Sequence, residues 1–331
     1  LVPQEVDDLF NALKGLRAEG MAIIFISHKL DEVLRVADDV TVVRAGSTVA
    51  QVKSKDVTAR ELAELMVGSE LPQPTTHGDT RRPEVTLSLK DVSVPTKSGS
   101  RDLISHISFD LQAGEVIGIA GVEGNGQAEL VEAIMGLREY TGQIEFKGKN
   151  IDHYSVAHRH DAGIGLIPED RQRQALMMNS PLWENRILGH QRSKPVMRGF
   201  ILDKKATIAD TRVIMDEFDV RAPGPHTLAT ALSGGNQQKF IVGREMSKAP
   251  ALLVASHPTR GVDVGAQAAI WDELRSAREK GMAIVLISAD LEELIGMSDR
   301  LLVMLRGAIT AELNPQKTTP EQLGSAMTGA Q

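Results

Sequence analysis

The chain of 331 residues contains no cysteine. Disulfide staples and thiolate metal sites are therefore excluded, and a reducing compartment suits it. Aromatic residues make up only 3% of the sequence, so a flat ligand ring finds few side chains to stack on. Positive charge is not in excess, and the net charge of −7 argues against a general nucleic-acid surface, which must be basic to neutralise phosphates. Long hydrophobic runs are missing as well. The longest stretches, such as Met282 to Ile287, fall far short of the ~20 residues that a bilayer-spanning helix needs, so any membrane association is expected to be peripheral. No signal peptide opens the chain, and its first residue is Leu1 rather than Met, from which an upstream piece is expected to be missing.

What is present is an internal repeat. GMAIIFISHKLDEVLRVADDVTVVRAGSTVA (20–50) is echoed by GMAIVLISADLEELIGMSDRLLVMLRGAITA (281–311), and the register extends upstream through Leu9/Ile270, Phe10/Trp271 and Leu13/Leu274. Self-similarity at a fixed offset marks two copies of one unit, the first represented only by its C-terminal end. Each copy reads as an amphipathic helix, a continuous apolar strand (Met21 to Ile26; Met282 to Ile287), another helix, and paired strands about a turn at Gly46 or Gly307. Apolar strands alternating with helices predict a parallel sheet covered on both faces. Gly68 to Glu84 is rich in Pro, Thr, Gly and charge without periodicity and reads as an exposed linker. The expected domains are thus 1–67, a linker over 68–84, and a complete domain over 85–331.

That domain opens with the strands LSLKDVSV and LISHISFDLQ, followed by an apolar strand at Val116 to Ala120. GVEGNGQAEL (121–130) comes next and leads into the helical stretch Leu130 to Met135, which is the context of a phosphate-binding loop. Gly121, Gly124 and Gly126 sit where backbone amides must curl without a Cβ in the way. The spacing is that of GxxxxGK[ST], yet Gln127 stands at the lysine position and Ala128 at the hydroxyl that holds Mg2+. A unit charge pair ~4 Å apart at an effective dielectric near 20 is worth about 4 kcal/mol, so losing the lysine weakens triphosphate binding by up to about a thousandfold. Glu129 takes the helix N-terminal position that a phosphate would otherwise use.

LSGGNQQKFIVGREM (232–246) places Ser233 as an N-cap, then Gly234, Gly235 and Asn236 at the start of a long helix, an end that points free amides at an anion. LSGGNQQK resembles the signature motif of ABC ATPases, in the variant of ribose-, galactose- and nucleoside-type importers. ALLVASHPTRGVDVG (251–265) is similar to that family's Walker B strand and D-loop. The resemblance puts Ser256 at the Mg2+-linked aspartate and His257 at the catalytic glutamate. It puts Ala289 at the switch histidine, a place held in the first copy by His28.

The resemblance implies an α/β P-loop NTPase of ABC ATPase type, with a mixed, largely parallel sheet core, a helical signature subdomain and an antiparallel β region. It implies domains paired head to tail, each ATP lying between one P-loop and the partner's signature. The local site, with Gln127, Ala128, Ser256, His257 and Ala289, is then expected not to hydrolyse. Ser233, Gly234, Gly235 and Asn236 would cap an ATP, with its Mg2+, held by a missing N-terminal nucleotide-binding domain, and His28 would act there catalytically. Pro168, Glu169, Asp170 and Arg171 replace the glutamine loop of the family and are the candidates for coupling to permease subunits; a merely solvated charged loop is the alternative. No adenine-stacking aromatic is apparent at Val94, Pro95 and Thr96.

The implied function is ATP-driven import of a simple sugar or nucleoside. The chain would lie peripherally on the cytoplasmic face of the membrane, bound to transmembrane permeases and indirectly served by a solute-binding protein. The alternatives are a non-hydrolysing regulatory or scaffolding module, or an ABC ATPase acting on ribosome or DNA. The last would need a basic interdomain arm, whereas the stretch 68–84 is short and mixed in charge.

Overall fold

The structure is a computed structural model that describes residues 3–27, 30–44, 46–67, 78–96 and 102–329. The chain divides into two compact units, residues 1–75 with 263–268, and residues 76–262 with 269–331.

The first unit holds α1 (Pro3–Ala18), α2 (Leu30–Val36), the antiparallel pair β1 (Asp39–Arg44) and β2 (Ser47–Lys53), and α3 (Ala59–Val67). The larger one begins with β3 (Val85–Val94), β4 (Ile104–Gln112), β5 (Val116–Ala120), α4 (Gln127–Met135), β6 (Thr141–Phe146) and β7 (Lys149–Asn150). It continues through α5 (Val156–Ala162), β8 (Ile164–Ile167), α6 (Leu182–Asn185), β9 (Met197–Arg198), β10 (Ile201–Leu202), α7 (Lys204–Glu217) and α8 (Gly234–Met246). Last come β11 (Leu252–Ser256), α9 (Val264–Glu279), whose residues up to Ala268 are counted with the first unit, β12 (Ala283–Ile287), α10 (Leu291–Met297), β13 (Arg300–Leu305), β14 (Ala308–Leu313) and α11 (Pro320–Thr328).

The repeat read from the sequence is present in the backbone. Pro3–Ala18 recurs as Val264–Glu279, Leu30–Val36 as Leu291–Met297, Asp39–Arg44 as Arg300–Leu305 and Ala59–Val67 as Pro320–Thr328. Even the irregularity between Val42 and Val43 in the first hairpin has its counterpart between Val303 and Met304 in the second. One element does not recur: the apolar run expected as a strand from Met21 to Ile26 forms none, whereas its counterpart is β12. The reason is pairing. β12 lies between β11 and β5 and bonds to both; the first copy offers no such neighbours among the described residues. Without them the run stays open, with Ile24 and Ile26 each 93% exposed.

In the larger unit six strands form one sheet in the order β14-β13-β5-β12-β11-β8, parallel except for β14 at its edge. A separate antiparallel sheet has the order β4-β3-β6-β7. The central strands are apolar throughout because both faces are covered, yet their side chains still alternate. Ile117 and Ile119 of β5, with Val254 of β11 and Val285 of β12, pack with Leu89, Ile104 and Leu130 on one face. Val116 and Ala120, with Leu253 and Leu286, pack with Phe240, Ile241 and Leu182 on the other. The sheet thus joins the antiparallel region and α4 on one side to the helical segment carrying α8 on the other. The C-terminal ends of β5, β11 and β12 lie side by side, the place where open parallel sheets carry their ligand sites.

A buried arginine closes the far end of α4. The Arg159 guanidinium donates to the carbonyls of Ala133 (2.8 Å), Ile134 (2.7 Å) and Ile151 (3.0 Å). It thereby supplies a partner to the terminal Ile134 carbonyl and a second one to Ala133, which also accepts from the Gly136 amide at 3.1 Å, and its charge is favourable at a helix C-terminus.

Candidate functional site

The buried strand β5 runs directly into the glycine loop. Gly124 (φ 88°) and Gly126 (φ 108°) adopt the left-handed backbone that side chains disfavour. A Cβ on Gly126 would also stand 2.7 Å from Cγ2 of Ile104. Gly121, Gly124, Gly126, Gln127 and Ala128 are therefore brought together as a strand-to-helix loop.

The Gln127 side chain does not point out of this loop. It is 9% exposed and folds back: Nε2 donates to the Val122 carbonyl at 3.1 Å, and Oε1 accepts from the Asn125 amide at 3.1 Å. One of the backbone N–H groups that such a loop aims at phosphate is thus already bonded to a carbonyl oxygen of the chain itself. The loop is pinned from the other side too, because Asn125 Oδ1 accepts from Arg306 N at 2.6 Å and Asn125 O accepts from Gly307 N at 3.0 Å. The sequence showed the loss of a cation; that the replacement fills the loop was not legible in it.

Ser256 ends β11, buried and in register with Ile287 of β12. His257 follows with φ 50°. Its backbone N–H donates to the Ile287 carbonyl at 2.7 Å, and its ring Nδ1 accepts from the Ala289 amide at 3.2 Å. Ser256, His257 and Ala289 are therefore assembled at the ends of adjacent strands. Burial, helped by the Arg260 charge and opposed by Glu169 and Glu123, lowers the His257 pKa below its ordinary value, so the ring is neutral near pH 7. A neutral ring whose Nδ1 accepts carries its proton on Nε2. The one lone pair that could take a proton is occupied, and the arrangement does not make His257 a general base.

These residues do not fit magnesium-bound ATP. Position 127 supplies no cation, Ala128 no hydroxyl, Ser256 and His257 no carboxylate, and the Asn125 amide is taken. Val94, where an adenine-stacking aromatic would be sought, is buried in the core opposite Ile104. His28 lies outside the described residues.

The signature segment is arranged differently. Ser233 caps α8, is itself exposed, and accepts from Asn236 N at 3.4 Å and Asn236 Nδ2 at 3.0 Å. Asn236 Oδ1 accepts from Arg221 N at 2.8 Å. Gln237 is buried and holds the preceding turn through the Ala229 carbonyl at 3.0 Å. The helix start is thus firmly built while its cap faces outward.

The charged stretch after β8 is bound rather than merely solvated. Pro168 is buried, Glu169 pairs with Arg260 at 2.6 Å, and Asp170 caps the π-helical turn Arg171–Ala175 by accepting from Gln172 N and Arg173 N, each at 3.1 Å. Arg171 is the junction. It donates to the carbonyls of Arg260 (2.5 Å) and Gly261 (3.3 Å) and to Gln237 Oε1 (3.3 Å). Its guanidinium lies so near Gly234 that a Cβ there would meet Nη2 at 2.6 Å. One side chain therefore ties the 168–171 stretch, the D-loop region and the signature helix together. Glu293 adds a second tie, accepting from Thr259 Oγ1 and Trp271 Nε1, both at 2.8 Å. Glu293 was not singled out from the sequence, since nothing in its local spacing marks it.

Residues 104–260 match the model of the ABC transporter family. The nucleoside import ATP-binding protein NupA of Lactococcus lactis is 40% identical over 330 residues, covering 99% of this chain and 65% of that protein. The guanosine import ATP-binding protein NupO of Bacillus subtilis is 40% identical over 331 residues, covering 100% of this chain and again 65% of the relative. The chain thus spans less than two thirds of the length of these curated relatives. Among solved structures, a nucleotide-free ATP-binding cassette from an ABC transporter superposes with a TM-score of 0.61 at 21% identity, covering 74% of this chain and 95% of that one. No helix among the described residues is long and apolar enough to cross a membrane.

Proposed function

Because the chain is a member of the ABC transporter family and has the fold of its P-loop ATPases, we propose that it is the ATP-binding part of an importer for a nucleoside or simple sugar, and that it contributes to catalysis in trans. The supporting observation is a contrast within one unit. The local phosphate loop is closed by the Gln127 side chain, whereas Ser233 is exposed at the start of a rigidly held helix. In this reading Ser233, Gly234, Gly235 and Asn236 cap the terminal phosphate of an ATP, with its Mg2+, held by the P-loop of another nucleotide-binding domain, and His28 belongs to that competent site. The local loop is a structural remnant that does not turn over.

Arg171 supplies the route for coupling. Permease subunits pressing on the 168–171 stretch would move Arg171 and, through Gln237 and the Arg260 and Gly261 carbonyls, the signature helix and D-loop. In this reading the protein lies peripherally on the cytoplasmic face of the membrane, with a solute-binding protein acting on the far side. A closed local loop also suits a module that scaffolds without any turnover.

Uptake of labelled nucleosides and sugars, with ATP hydrolysis by the purified importer, separates the two. Ser233→Arg should abolish both, Arg171→Ala should lower uptake more than hydrolysis, and Gln127→Ala should leave both within about twofold. Unchanged transport in the Ser233 variant would favour the scaffold and overturn the proposal.

A further inference from the structure

Away from the nucleotide motifs, a cavity of about 600 Å3 opens beside the N-terminal end of β8, lined among others by His160, Asp161, His190, Ser193, Glu245 and Lys248. Three of these come from separate elements: His160 from the last turns of α5, His190 from the loop after α6, and Glu245 from the end of α8. One ligand atom from each lies within 4.8 Å of the others.

His190 is 1% exposed, and neither Nδ1 nor Nε2 has a hydrogen-bond partner. A buried imidazole with both nitrogens unpaired is destabilising and calls for an explanation. Its ring meets that of His160 edge to face, with centroids 4.9 Å apart. The backbone permits this approach because residue 189 is glycine, where a Cβ would stand 3.0 Å from His160 Nε2. Glu245 divides its two carboxylate oxygens between neighbours, since Oε1 accepts from Arg244 Nε at 2.8 Å while Oε2 is directed toward His160 Nε2 at 3.5 Å.

We propose that His160, His190 and Glu245 form a binding site for a divalent transition-metal ion of the zinc type. Two imidazoles and a carboxylate are the donor set such an ion takes, whereas Mg2+ and Ca2+ require oxygen ligands. Metal–ligand bonds of about 2.1 Å need the three donors drawn together by roughly 1 Å, which side-chain rotation into the cavity supplies. Three cations stand near the cluster, and a bound dication has to outweigh them: Arg244 is paired with Glu245, Arg186 through Nε with Asp210 at 2.5 Å, and the Lys248 ammonium donates to Ser193 Oγ. Arg244 would orient the carboxylate as an outer partner, and the cavity leaves a fourth position for water. The ion would staple α5, the loop after α6 and the end of α8.

The test is titration of untagged, chelator-stripped chain with Co2+, followed by its visible absorption, and with Zn2+ in competition, alongside thermal unfolding. One equivalent should bind with the absorption of a tetrahedral ion, be displaced by Zn2+, and raise the melting temperature. His190→Leu and His160→Gln should each weaken binding at least a hundredfold. His190→Leu has no hydrogen bond to lose, so its far-UV spectrum should be unchanged; should it fail to fold, the partly exposed His160→Gln carries the comparison. Absence of saturable absorption, or equal binding in wild type and His160→Gln, would overturn the proposal.

Discussion

Replacing Gln127 by alanine removes a side chain that any phosphate must displace before it can seat on the 121–126 loop. Displacement breaks two hydrogen bonds, Nε2 to the Val122 carbonyl and the Asn125 amide to Oε1. Each is worth about 1 kcal/mol net, so the barrier to occupancy is about 2 kcal/mol, or a factor of roughly 30 in affinity. Gln127→Ala should therefore bind ATP up to about 30-fold more tightly than the wild type, while losing about 2 kcal/mol of stability from the same two bonds. Gln127→Lys adds a cation and should gain more, with about 4 kcal/mol as the ceiling. Neither variant should respond to Mg2+, because Ala128 offers that ion no hydroxyl, and Ser256 and His257 offer it no carboxylate. Calorimetric titration of the purified chain with ATP, with and without Mg2+, reads all of this. Weaker binding by Gln127→Ala than by the wild type would refute the reasoning, since it would make Gln127 a ligand of the nucleotide rather than an occupant of its place.

Three further outcomes follow from the same geometry. Arg159→Ala should lower stability by about 1–3 kcal/mol, measured by urea unfolding, because it leaves the Ile134 carbonyl without its partner, while the Ala133 and Ile151 carbonyls keep the Gly136 and Tyr154 amides. Gly126→Ala should cost about 2 kcal/mol or more in the same assay, combining a φ of 108° with the close approach to Ile104. For His257, whose folded pKa lies below the ordinary 6.5, the unfolded chain binds the proton more readily. Its contribution to stability is complete above about pH 6.5 and is lost as the pH falls below that value. His257→Asn, which tolerates the φ of 50°, should flatten this part of the stability-versus-pH curve.

Much of this was legible in the sequence because it is local. The repeat, the apolar strands of the central sheet, the glycine loop and the signature helix each carry their own pattern of burial or capping. Met21 to Ile26 shows the limit of that reasoning: an apolar run records the need for burial, but a strand forms only where neighbours bond to it. The same limit applies to the site. The sequence shows that position 127 lacks a lysine, not that the glutamine returns its oxygen to the Asn125 amide. It shows a charged stretch at 168–171, not that Arg171 reaches two carbonyls some ninety residues away. His160, His190 and Glu245 have no common spacing at all, and only the packing of α5 and α8 against β8 brings them together.

The central claim is that this chain offers its signature to a nucleotide held elsewhere while its own loop is closed. A structure of the assembled importer with a non-hydrolysable ATP analogue tests it most directly. The terminal phosphate should then lie beside Ser233 and Gly234, bound in the P-loop of another domain, with Gln127 still bonded to Val122 and Asn125. An analogue seated in the 121–126 loop, with the Gln127 side chain turned onto its phosphates, would contradict the claim.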